Sequence, residues 1–200
     1  MISSGRSRAA VASAAGMPLL LAFPEVRHIL ESRMVLHMML EWPLLLAAGW
    51  AANKPSRKAS VVGRRYDELD VHGLLGMTLL TGFSLFWMLP VSLDLSLLSV
   101  PMCLFKYTGW WLCGLALRRS WPRLADESLV FFLGSMAWML ATAGLLYQAS
   151  ESRLCVNYLI DDQMIAGRAL VIAAVLLGGL AAIRLARPRS EGANRPRHQV

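Results

Sequence analysis

Arg33, His37 and Glu41 recur at steps of four within an otherwise apolar run, RMVLHMMLEWPLLLAAGW over residues 33–50. Side chains four apart on a helix leave from one face, so a cation, an imidazole and a carboxylate would form one polar stripe with Met34 and Met38 beside it. Imidazole, thioether and thiolate are the donors a soft ion such as Cu(I) accepts at low coordination number. Met34, His37 and Met38 fall within about one helical turn. Cys103 adds a thiol from a later segment, and these four are the candidate metal ligands. The residue types also have a plainer use. Most of the eleven methionines are expected to be packing residues, because Met is apolar and flexible, and a buried histidine often serves as a hydrogen-bonded contact between helices.

Positioning such a stripe is a task for helices in lipid. The 200 residues are 56% hydrophobic and 16% charged, whereas a soluble domain is nearer a quarter charged. Every backbone amide in a bilayer core must be satisfied internally, which takes about 20 apolar residues as helix. Segments of that kind run over roughly 30–52, 71–91, 95–117, 129–150 and 163–186. The expected fold is therefore an all-α, polytopic membrane helical bundle with five spans, and residues 9–23 are a candidate short sixth helix or interfacial segment. Residues 1–28 form the N-terminal segment, 29–186 the bundle, and 187–200 a basic tail expected to be disordered. The formal charge of +7 comes from short basic patches between apolar runs. These read as insertion signals, and no nucleic-acid-binding module accompanies them.

The patches also orient the bundle. Lys54, Arg57, Lys58, Arg64 and Arg65 follow the first span, Arg118, Arg119 and Arg123 follow the third, and five arginines from Arg184 onward mark the tail. The connections on the opposite side contain one basic residue, Arg153. The positive-inside rule places the basic side, with the C-terminus, in the cytoplasm.

Ionisable groups at membrane depth cost at least ~2.5–3.5 kcal/mol each near the centre and normally face a partner inside the bundle. At about 1.5 Å of rise per residue, Glu41 and Lys106 both lie about 16 Å below the outer starts of their spans, so they can meet. Arg168, about 8 Å below the start of its own span, is expected nearer His37 and the Asp161/Asp162 pair. Arg33, Glu41, Lys106, Asp162 and Arg168 thus form the expected buried charge network. His72 opens the second span at the other face of the membrane, which excludes a two-histidine haem clamp with His37. Three cysteines without a CxxC pair give no disulfide framework. No HExxH, phosphate-binding loop or GxSxG stretch points to an enzyme.

Met34-x-x-His37-Met38 followed by Pro43-Leu44-Leu45 and Gly49, His72 leading to Gly82-x-x-Leu85-Phe86-Trp87, and Asp162-Gln163-x-x-Ala166-Gly167 together resemble the multi-pass CtaG family of bacterial cytochrome c oxidase assembly factors. The three blocks lie in order over about a third of the chain. The resemblance implies a multi-pass protein of the bacterial plasma membrane that helps mature a copper-containing oxidase by handling copper, with oxidase subunits as partners. It carries over onto His37, Asp162 and Gln163. Arg33 stands where family members have a further histidine, and residues 53–70 are hydrophilic where they tend to have another span. Two other readings fit the same residues: a structural or scaffold subunit of a membrane complex, and a small transporter with a buried-charge pathway.

Overall fold

The computed structural model describes residues 16–53 and 61–186. Arg6, Arg8, Lys54, Arg57, Lys58, the first part of the 9–23 segment and the basic tail lie outside the described residues.

Every regular element among the described residues is helical. After a helical stretch over 16–21 come α1 (Pro24–Glu31), α2 (Met34–Ala52), α3 (Val61–Leu69), α4 (Leu74–Trp87), α5 (Pro90–Leu98), α6 (Val100–Ser120), α7 (Asp126–Ala149) and α8 (Ile160–Ala186). Prolines mark several starts: Pro24, Pro90 and Pro101 each occupy a first helical turn, where the missing N–H has no helical acceptor to lose.

α2, α7 and α8 are each long and apolar enough to cross a membrane, and α3 with α4 makes a fourth crossing if that pair, bent by 78°, is one span. α6 has the length, 21 residues, but carries Lys106, Arg118 and Arg119. The segment expected as a second span over 71–91 is a 14-residue helix, about 21 Å long at 1.5 Å per residue. It opens from a tight turn, Val71–Gly73, in which His72 and Gly73 have positive φ. The expected third span, 95–117, is divided at Ser99, whose extended backbone separates α5 from α6.

α6 is the central helix, packed against both α2 and α4. Its approach to α2 is as close as backbones allow: a Cβ on Gly49 would meet the Trp111 carbonyl, and one on Gly114 would meet the Leu46 carbonyl. α7 and α8 form a hairpin on Gly144 and Gly167, each facing the other's carbonyl oxygen. Small residues at such crossings let helices gain van der Waals contact where lipid offers no hydrophobic driving force.

The hairpin is fastened to the other helices at its connecting loop. Tyr147 donates to the Met88 carbonyl at 3.0 Å, and Asp94 of α5 accepts from the backbone N–H groups of Val156 and Asn157 at 2.9 and 3.3 Å. Gln163 accepts from Leu154 N–H at 2.8 Å and donates to the Tyr147 carbonyl at 3.1 Å. At the opposite end of α6, Asp67 of α3 receives Arg119 Nε at 2.9 Å and Nη2 at 2.7 Å, and Arg123 reaches Asp67 and Asp70 at 3.0 and 2.6 Å.

Candidate functional site

Between Leu36 and Trp42 the backbone of α2 opens into a π-helical turn, His37–Glu41. Pro43 supplies the cause. It has no N–H for an i→i−4 bond, and its ring would crowd the carbonyl four residues back, so the preceding turn widens to accommodate it. His37, Met38 and Glu41, all within that turn, are fully buried.

His37 and Glu41 face α6 at Lys106, itself wholly buried. Lys106 Nζ donates to Glu31 Oε1 at 2.7 Å, to Glu41 Oε2 at 3.1 Å and approaches His37 Nε2 at 3.3 Å. An ammonium has three protons, and three acceptors are in place. Glu31 is also held by Arg27 Nε at 2.7 Å. Two carboxylates therefore balance one ammonium and one guanidinium, with the imidazole neutral.

The histidine's tautomer follows from its other contact. Tyr158 donates its hydroxyl proton to the Glu31 carbonyl oxygen at 3.2 Å, so the same oxygen must accept at its 2.8 Å contact with His37 Nδ1. Nδ1 then carries the proton, and the Nε2 lone pair faces Lys106. One acceptor remains unused: Glu41 Oε1 lies 3.1 Å from Lys106 Nζ but has no hydrogen bond of its own.

Glu31, His37 and Glu41 each offer one ligand atom, and the three atoms lie within 4.8 Å of one another, a spacing that could hold a metal ion. Among the described residues this set does not include Cys103, which is buried as a free thiol on α6. Met34 is buried in the hydrophobic core, and Met38 lines a separate apolar cavity. The donors that converge are thus two carboxylates and an imidazole, a set that suits a divalent ion better than Cu(I).

The expected charge network is redrawn in two places. Arg33 does not share the inward face with His37 and Glu41, because its backbone is extended (φ −131°, ψ 137°) and α2 begins after it. Its side chain is 61% exposed and pairs with Asp162 at 3.5 Å. Arg168 is exposed on α8, so it is not part of a buried network. Glu31, Arg27 and Tyr158 belong to the centre although sequence spacing did not single them out. The helix breaks at Ser32 and Arg33, so periodicity could not carry Glu31 onto the α2 stripe, and Tyr158 comes from a loop.

No family model, curated protein or solved structure matches the chain.

Proposed function

We propose that this chain is a non-enzymatic, multi-pass protein of the bacterial plasma membrane that assists cytochrome c oxidase assembly, and that its working centre is the cation cage of Glu31, His37 and Glu41. The convergence of those three donors on one buried nitrogen is the observation that carries the reading. It is supported by the resemblance to CtaG-type assembly factors, whose first block supplies His37, and by the apolar helices. Five crossings, with α6 as the third, keep the basic ends of α2, α6 and α8 on the cytoplasmic side and the cage toward the outer face.

The residues fit a metal ion in donor type and in the orphaned Glu41 Oε1. Glu31, His37 and Glu41 would hold it, and copper or zinc in the divalent state would supply a Lewis-acidic charge there. What the chain itself supplies is a tethered cation, Lys106, which competes for the same donors. Ion capture requires the ammonium to leave or lose its proton, so the lysine acts as the gate.

Deletion of the gene in its own host tests the role: assembled, spectroscopically intact cytochrome c oxidase is expected to fall, and wild-type protein but not His37→Ala is expected to restore it. Purified Lys106→Met should retain divalent copper through dialysis where wild-type protein retains less. Normal oxidase in the deletion strain, or equal copper retention by wild type, Lys106→Met and His37→Ala, would overturn the proposal.

A scaffold reading is favoured by one feature, the balance of charge around Lys106. On that reading Glu41→Leu with Lys106→Leu leaves oxidase assembly unchanged.

A further inference from the structure

Away from the charged centre, a cavity of about 520 Å³ lies between the α7/α8 hairpin and the α2, α4 and α6 helices. Its size falls in the ligand-pocket range of about 300–1,000 Å³. The wall is apolar and compliant, with Met38 and Met77 on one side, Met136 on the other, and Trp42 and Trp110 stacked at 5.2 Å. Leu176, 69% exposed, belongs to the same wall, so the cavity opens sideways through the outward face of α8.

Two wall residues carry an unanswered polar group. Trp42 and Trp110 are 2% and 5% exposed, and neither indole N–H has an acceptor. A buried donor without a partner costs about 1–3 kcal/mol. Within a membrane, water is not at hand to answer it. Both indoles are deep. Trp42 lies about 12 Å along α2 from Met34, and Trp110 lies about 15 Å from either end of α6, at 1.5 Å per residue. The ester carbonyls of phospholipids stay near the interface, about 15 Å from the bilayer centre. The missing acceptor must therefore travel into the hydrocarbon on an uncharged molecule.

We propose that this cavity binds a lipid-soluble carbonyl compound of the quinone type, with its ring and tail against the methionines and its oxygen accepting from the indoles of Trp42 and Trp110. Entry is lateral, past Leu176. The site is separate from the cation cage, since none of Glu31, His37, Glu41 and Lys106 lines the cavity, and His37 meets the Trp42 ring in a T-shaped contact at 5.8 Å.

Indole ¹⁵N–H spectra of the full-length protein in detergent test this, with Trp42→Phe and Trp110→Phe assigning the two signals. Decylubiquinone should shift both saturably, while dodecylbenzene, which has a ring and tail but no carbonyl, should not. Met136→Trp or Ala173→Leu, which fill the cavity from the α7 and α8 side, should weaken decylubiquinone binding about tenfold or more. Unmoved Trp50 and Trp121 signals report that each variant is folded. Equal shifts with both probes, shifts produced by dimyristoyl phosphatidylcholine alone, no shift with decylubiquinone, or undiminished binding in both folded cavity-filling variants would overturn the assignment.

Discussion

His37 and Tyr158 are 121 residues apart in sequence and joined by a 2.8 Å hydrogen bond. The bond ties the π turn of α2 to the loop that links α7 and α8, and the Tyr158 hydroxyl passes the connection on to the Glu31 carbonyl. A single phenol thus fastens the hairpin, the end of α1 and the imidazole whose free nitrogen faces Lys106.

Tyr158→Phe removes that fastening while keeping the ring. It leaves the Nδ1–H of His37 buried without an acceptor, which should cost about 1–3 kcal/mol in stability. Unfolding of the purified protein in detergent should show the loss. Imidazole ¹⁵N shifts should show a second effect, loss of the single Nδ1–H form, because nothing then holds the proton on that nitrogen. Unchanged stability together with an unchanged tautomer would remove Tyr158 from the centre.

The crossing of α2 and α6 predicts a second result. A methyl group at Gly49 or Gly114 would run into backbone carbonyls of the partner helix, Trp111 and Leu46, which cannot swing away as side chains could. Gly49→Ala and Gly114→Ala should each cost at least about 1–3 kcal/mol, the usual penalty for overpacking. Gly134→Ala, where a methyl meets open space, is the control and should be neutral or slightly stabilising, because alanine favours helix. Thermal unfolding of the three variants side by side decides it.

Acid should loosen the other end. The Arg119 guanidinium, hydrogen-bonded to Asp67, holds that carboxyl below the ordinary aspartate range, with Arg123 assisting. A carboxyl whose folded value is lowered contributes stability at pH above its unfolded value, about 3.9, and loses it as pH falls through the folded value. Protection of α3 against proteolysis or amide exchange should therefore decline below about pH 4. The decline should be shallow, since Asp67 is solvent-accessible and exposed pairs contribute little. Asp67→Asn should show weak protection at every pH and no such decline.

The thiol at the hairpin loop gives an independent reading of packing. Burial pushes Cys155 up to about 12, and its side chain is fully enclosed. A thiol reacts as thiolate, so maleimide at neutral pH should leave Cys155 unmodified in the folded protein. Asp94→Ala, which releases the loop from α5, should raise its labelling rate at least about tenfold. Rapid labelling of Cys155 in the unaltered protein would contradict the closed loop.

Depth arithmetic pairs Glu41 with Lys106 although both spans are interrupted on the way, because the breaks fall at matching depths, at Ser32–Arg33 before α2 and at Ser99 before α6, and their errors cancel. The four-residue spacing misplaces Arg33, because that step to His37 crosses the start of α2, where the backbone is still extended. Arg168 was misplaced for another reason: depth says how far down a residue lies and nothing about which way it faces. Gln163, a position onto which the family resemblance carries over, has its amide engaged by the loop it staples. The contribution of Glu31 needed the break at Ser32, and that of Tyr158 needed the loop's path. Neither leaves a periodic trace.

Lys106 itself carries the sharpest prediction. Its three N–H donors face Glu31, Glu41 and His37, and the cluster's formal charges cancel only while it is protonated. Lys106→Met removes the positive charge from between two buried carboxylates, and breaking a buried pair from one side costs about 3–5 kcal/mol. Glu41→Gln alone leaves Lys106 paired with Glu31, so its cost should be smaller, nearer the 1–3 kcal/mol of a lost charged hydrogen bond, with ~2 kcal/mol as a working figure. Lys106→Met combined with Glu41→Gln restores neutrality against Arg27 and Glu31. The double variant should therefore be more stable than Lys106→Met alone, a sign of coupling that additive packing losses cannot produce. Detergent unfolding of the four proteins in one cycle measures it. Simple additivity would mean that the ammonium is held there by shape and not by the charges around it.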